Sequence, residues 1–191
     1  MRTLLPFNTK QWIYASLLFC FFLLLNSSFF WKQMYPIAYE EEVAAAAGHF
    51  QVDPFLILAV MKIESDFNPD RSSPKGAAGL MQLMPDTAQW IQKKSGQSLP
   101  HGGDLHHPET NIWLGTWYLS YLLEKYRGDH VKVLAAYNAG QGNVDRWIEG
   151  KIWDGQAATV DNIPFGETRH YVKRALFYYE RYKTIYAGEF N

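Results

Sequence analysis

Glu64 is the residue in this sequence whose setting most invites chemistry. It closes the stretch "FLILAVMKIE", residues 55–64, in which Lys62 is the only other polar residue. Ile57, Val60, Met61 and Glu64 recur at i, i+3, i+4 and i+7, so Glu64 continues an apolar stripe along one helical face. Burial disfavours the ionised form of a carboxyl group, and the partial negative charge of a helix C-terminus works in the same direction. Both effects keep a proton on Glu64 near neutral pH, which is what a general acid needs. A glutamate at a frayed helix end can also turn out to solvent. On this stretch alone, that reading stands at least level.

Four short stretches place turn residues beside polar residues in apolar surroundings. They are "ESDFNPDRSSPKGAAG" (64–79), "GLMQLMP" (79–85), "LAAYNAGQGNV" (134–144) and "IPFGETRHYV" (163–172). This is the composition of a cleft where helix ends meet. Tyr137 and Asn138 stand at the end of an apolar helix, where a core tyrosine and a helix-ending asparagine are the alternatives. Other chemistries drop out. "GAAG" lacks the Lys-Ser/Thr of a phosphate loop. There is no Gly-x-Ser-x-Gly elbow, and the one cysteine, Cys20, lies in an apolar N-terminal run, so neither usual hydrolase nucleophile is present. "HGGDLHH" offers His101, Asp104, His106 and His107 without helical ligand spacing or a cysteine partner, and reads as a polar surface loop. No metal or cofactor is called for.

The composition fits a neutral ligand. Net charge is −1 and Trp, Tyr and Phe make up 16% of the 191 residues. No Lys/Arg stripe is visible, which excludes nucleic acid as a partner. Aromatics without excess basic charge suit sugars, whose ring faces are apolar.

The elements that must position these residues are helices. Helical segments are expected at 38–50, from Pro54 to Glu64 behind an Asp53 N-cap, and from Pro85 to Gly96. Others are expected from Pro108 to about Arg127, over 130–140 behind an Asp129 cap, at 144–149, and from Glu167 to Tyr186. Residues 96–107 read as a loop and 151–166 as irregular. No apolar/polar alternation demands a sheet. The fold class is mainly α, a single domain, behind one N-terminal helix. That helix is the uncharged run Trp12–Trp31, about as long as a membrane span needs and flanked by Trp and Tyr. A cleaved signal peptide is the alternative, for which "LNSSFF" is a poor cleavage site. Arg2 and Lys10 precede the run, while Lys32 and Glu40–Glu42 follow it, so the N-terminus is expected in the cytoplasm and the rest outside. The expected organisation is a single-pass anchor over 1–32 and an extracytoplasmic domain over 33–191. A lone cysteine allows no intrachain disulfide.

"ESDFNPDRSSPKGAAGLMQLMP", then "AAYNAG", then "ETRHYV", in that order, resemble the lytic transglycosylases of the soluble type, which share the goose-type lysozyme fold. The resemblance covers roughly residues 38–186. It implies that Glu64 is the single catalytic acid/base, with no cationic partner for it evident in sequence. It implies that Ser73 contacts the acetamido group or positions the Glu, that Gln82 and Met84 line the sugar subsites, and that Tyr137 and Asn138 flank Glu64. It further implies that Glu167 and Tyr171 complete the cleft. Phe67 stands where another aromatic is common, a mild departure. The implied substrate is peptidoglycan, cut between N-acetylmuramic acid and N-acetylglucosamine with closure of a 1,6-anhydro ring, without cofactor. A lysozyme-type hydrolase on the same fold and a non-catalytic peptidoglycan-binding or scaffold module are the alternatives.

Overall fold

Asp53 and Pro54 open the helix that organises the domain. The computed structural model describes residues 8–96 and 100–190. In it the Asp53 carboxylate accepts from Phe55 N (2.9 Å) and, with its other oxygen, from the Tyr179 hydroxyl (2.8 Å). One side chain therefore caps the helix and ties its start to the last helix. The chain divides into two units, Met1–Pro36 and Ile37–Asn191.

In the first unit, α1 (Thr9–Leu25) is apolar on every side, and α2 (Ser28–Met34) follows at a bend of 64°. The single continuous span expected over Trp12–Trp31 is therefore broken. The reason lies in "NSS". Asn26 turns its amide back onto Phe22 O (2.8 Å), and the Trp31 indole donates to Leu25 O (2.7 Å). Such side-chain bonds to local carbonyls compete with continuation of the helix. Among the described residues no single helix is long and apolar enough to cross a membrane, although α1 and α2 pass that test together. Arg2, used to orient the run, lies outside the described residues.

In the second unit, α3 (Glu40–Phe50) carries three glutamates in its first turn, where they complement the helix dipole. Then come α4 (Pro54–Glu64), α5 (Pro85–Ser95), α6 (Pro108–Lys125), α7 (His130–Ala139), α8 (Gln141–Glu149) and α9 (Gly166–Ile185). Short 3-10 turns lie at Pro100–Gly103 and Ala157–Asn162, the second inside the segment expected to be irregular. The Asp129 cap is as expected, accepting from Val131 N and Lys132 N. There is no strand among the described residues; two isolated bridges pair Ser72 with Ala78 and Ala78 with Leu83.

α4 is more deeply set than a single stripe implies. Leu56, Ile57, Leu58, Ala59, Val60 and Met61 are all 0% exposed, so every face of its middle is buried. α9 packs along it, with α3 and α6 on other sides, and α7 packs on α9. A helix apolar all round is a core helix, and its C-terminal end is where the buried interior meets the surface. Glu64 is at that end.

Candidate active site

Beyond Glu64 the chain must turn sharply without leaving the last carbonyls of α4 bare. Ser65 is 1% exposed, and its hydroxyl sits 2.8 Å from Leu80 O and 3.1 Å from Met61 O. It thereby joins the helix end to the segment 78–83. Asp66 and Phe67 both take positive φ (55° and 61°), a strained conformation for residues with a side chain. Asp66 pairs with Lys62 one turn back. Such strain persists only where surrounding structure enforces it, and it concentrates at functional sites.

The loop 71–83 is held by an interlocked set of turns. Ser73 Oγ accepts from Ala77 N (3.0 Å), and Ser73 N donates to Ala77 O (2.8 Å). Gln82, at φ 47°, donates its side-chain amide to both Arg71 O and Gly79 O, each at 2.9 Å. Its carbonyl oxygen is the part left for a ligand. Asn111 on α6 is 0% exposed and anchors the loop from below. It accepts from Met81 N (2.6 Å) and donates to Ala78 O (2.9 Å) and Leu105 O (2.8 Å). Gly79 has to be glycine here. Its φ is +78°, and a Cβ would lie 2.1 Å from Leu105 O and 2.3 Å from the Asn111 amide.

These elements enclose an open groove of about 530 Å³. α4 contributes Ile63 and Glu64, and the loop contributes Arg71, Ser72, Ser73, Pro74 and Gln82. Asn138 comes from α7, and α9 adds Glu167, His170, Tyr171 and Arg174, spaced i, i+3, i+4 and i+7. Thr168 donates to Asn138 Oδ1 (2.7 Å), which leaves the Asn138 amide nitrogen as the donor available to a ligand. Tyr137 is behind the groove lining, its hydroxyl donating to Met81 O (3.0 Å).

Glu64 is half-buried: the groove opens above it while protein packs around the rest. Its pKa is raised from 4.5 to about 7, first by burial and further by the charge of Glu167, against the opposing pull of Tyr171 and Arg71. The carboxyl is thus poised to give and take a proton near neutral pH. Tyr171 is 6% exposed, and its buried hydroxyl faces Glu64 at a geometry short of a full hydrogen bond. Burial, then the Glu64 charge, push the Tyr171 and Tyr137 phenols well above their ordinary value. Both stay neutral donors beside Glu64.

Seven of the eight residues singled out in the sequence converge here: Glu64, Ser73, Gln82, Asn138, Glu167 and Tyr171 line the groove, and Tyr137 backs it. Met84 does not. It is the N-cap of α5, 38% exposed and away from the groove lining. No cationic partner for Glu64 is evident in sequence; the structure supplies one in Arg71, whose charge favours the ionised form. Arg71, His170 and Arg174 were missed. The α9 pair was accessible through helical spacing from Glu167; Arg71 depends on how the loop folds back.

The domain resembles known proteins over most of its length. Residues 41–159 match the model of the Transglycosylase SLT domain. The chain is 40% identical to the soluble lytic murein transglycosylase of Escherichia coli K12, over 79% of this chain and 24% of that protein. It is 38% identical to the membrane-bound lytic murein transglycosylase C of Edwardsiella ictaluri, over 65% of this chain and 36% of that one. In three dimensions it superposes on the crystal structure of the 70 kDa soluble lytic transglycosylase of Escherichia coli with a TM-score of 0.76 at 35% identity, covering 83% of this chain and 26% of the other. An inactive glutamate-to-glutamine mutant of the lytic transglycosylase Slt of Pseudomonas aeruginosa superposes with a TM-score of 0.72 at 34% identity, covering 82% and 26%. The chain therefore spans about a quarter of the length of its soluble relatives, and by the match over more than half of its own length it belongs to the transglycosylase SLT family.

Proposed function

We propose that the protein is a peptidoglycan lytic transglycosylase with Glu64 as its general acid and then its base. The observation that carries this reading is the single poised carboxyl: Glu64, at about 7, on the floor of an open groove and flanked by two neutral phenols. Protonated Glu64 gives its proton to the glycosidic oxygen between N-acetylmuramic acid and N-acetylglucosamine. The C1–O bond breaks, and the acetamido carbonyl of the muramic residue supports the electron-poor C1. The Glu64 carboxylate then takes the proton of the same sugar's C6 hydroxyl, whose oxygen closes on C1. The product is a 1,6-anhydro ring, Glu64 is protonated again, and no water is consumed. The inactive glutamate-to-glutamine form of the Pseudomonas relative supports a chemistry in which an amide cannot replace the acid. Ser73, Gln82, Asn138, Glu167 and Tyr171 hold the glycan in this reading, with Arg71, His170 and Arg174 added to the binding face.

A hydrolase needs a second carboxylate to activate water. Among the described residues, Glu167 is the only other acid lining the groove, and it is exposed on α9. Mass spectrometry of fragments released from purified peptidoglycan separates the readings. Anhydromuramoyl ends are expected. Fragments heavier by one water would assign the protein to hydrolysis, and no release would leave a binding module. In the same proposal, the apolar α1–α2 unit attaches the domain to a membrane, in keeping with the name of the membrane-bound relative.

A further inference from the structure

Away from the groove, the turn before α6 brings together a second set of chemically capable side chains. Within "HGGDLHH", Asp104 and His106 are otherwise engaged. Asp104 accepts from His106 N (2.9 Å), and the His106 ring is 3.1 Å from Pro69 O. His101 and His107 instead converge with Glu109, a residue outside that stretch. One ligand atom from each of these three lies within 4.8 Å of the other two. His101 Nε2 is 2.7 Å from Glu109 Oε2, and the two imidazoles stack with centroids 3.4 Å apart. His107 Nδ1 is buried with no hydrogen-bond partner. A buried, unsatisfied ring nitrogen is unfavourable, and ligation supplies the missing partner.

We infer that His101, His107 and Glu109 form a binding site for a divalent transition metal of the zinc type, which staples the 100–107 turn to the start of α6. Two imidazoles and one carboxylate are a donor set that zinc accepts, with remaining positions open to water. Nitrogen donors disfavour magnesium and calcium, which take oxygen ligands. The framework is already in place. His107 and Glu109 flank Pro108 at the first turn of α6, and Thr110 Oγ1 donates to Pro100 O (2.8 Å) across the same junction. His101 and Glu109 are exposed, which leaves an entry path. The parallel stacking sets the two rings' lone pairs side by side, so ligation requires the His101 ring to swing. Gly102 and Gly103, both at positive φ, follow it in the turn. The staple would also brace the groove loop from behind, through His106 on Pro69 O and Asn111 on Leu105 O.

The site stands independently of the proposed glycan chemistry. The test uses the full chain without an affinity tag, in detergent, titrated with zinc chloride by calorimetry and followed by thermal unfolding. Expected are one-to-one binding, a rise in unfolding temperature that magnesium chloride does not reproduce, and affinity lowered at least roughly ten-fold in His101→Ala and in Glu109→Gln. Cobalt substitution should give a ligand-field spectrum in the wild type that both variants lose. Both changes are at exposed positions and leave the fold intact, which circular dichroism checks. No saturable one-to-one binding, or affinity unchanged in both variants, overturns the inference and leaves a His–Glu hydrogen bond only.

Discussion

Replacing Glu64 by glutamine should stabilise the protein, and only above the acid range. The substitution keeps the shape and removes the proton equilibrium. In the folded state the carboxyl holds its proton up to about pH 7, against 4.5 ordinarily. Below 4.5 it is neutral in both folded and unfolded chains, so the change is without effect there. As pH rises from 4.5 to about 7, the unfolded chain ionises and the folded one resists, so the wild type loses stability through that window. Above it the loss is complete, and the difference between the two values is worth about 3 kcal/mol. The groove opens to water above the carboxyl, so we take about 2–3 kcal/mol as the working figure, one buried leucine's worth of the core around α4. For a domain of this size that amounts to roughly 5–10 °C. Thermal unfolding followed by near-ultraviolet circular dichroism should show the Glu64→Gln variant and the wild type melting together near pH 4 and apart near pH 8. In the same preparations, peptidoglycan cleavage should fall by about 10²–10⁴-fold, the usual worth of general acid–base catalysis. A stability difference that is flat with pH, or a variant that still cleaves at near wild-type rate, refutes the reasoning.

The alkaline limb of kcat/KM should fall with the ionisation of Glu64, near pH 7. Arg71→Gln should move that limb to higher pH and Glu167→Gln to lower, because the first now favours the ionised form and the second opposes it; pH–rate profiles on soluble glycan fragments check both, and a shift of both limbs in the same direction would count against the assignment. Asn111→Ala should leave Met81 N and Leu105 O without their partner, while Ala78 O keeps Leu83 N, costing at least about 2 kcal/mol by urea unfolding at roughly 1–3 kcal/mol per group. External protease added to spheroplasts should remove the domain from the membrane fraction; full protection would place it on the cytoplasmic side.

What could be read from the sequence was what local rules decide. Pro54, Pro85 and Pro108 open helices, Asp53 and Asp129 cap them, and Gly96 and Gly140 end them, because each of these residues acts on its own backbone. Glu64 at the end of an apolar run was visible for the same reason. The direction of its pKa followed from burial and helix polarity alone. What local rules did not reach were the long-range choices. "LNSS" broke the N-terminal run because asparagine and tryptophan side chains found carbonyls that a hydropathy pattern does not weigh. Met84 fell outside the groove because the chain leaves the loop and enters α5 at that residue. Arg71 faces Glu64 only because Gln82 and Gly79, eleven and eight residues on, hold its backbone carbonyl. The same dependence explains why the buried Asn111 gave no sequence signal: it reads as one polar residue among the apolar ones of α6, yet its three hydrogen bonds fix the loop that forms one wall of the groove. A carboxyl at about 7 is thus the joint result of a local fact, the end of α4, and a non-local one, the loop folded over it. Changes at Asn111 should therefore disturb the pH profile of a residue they never touch.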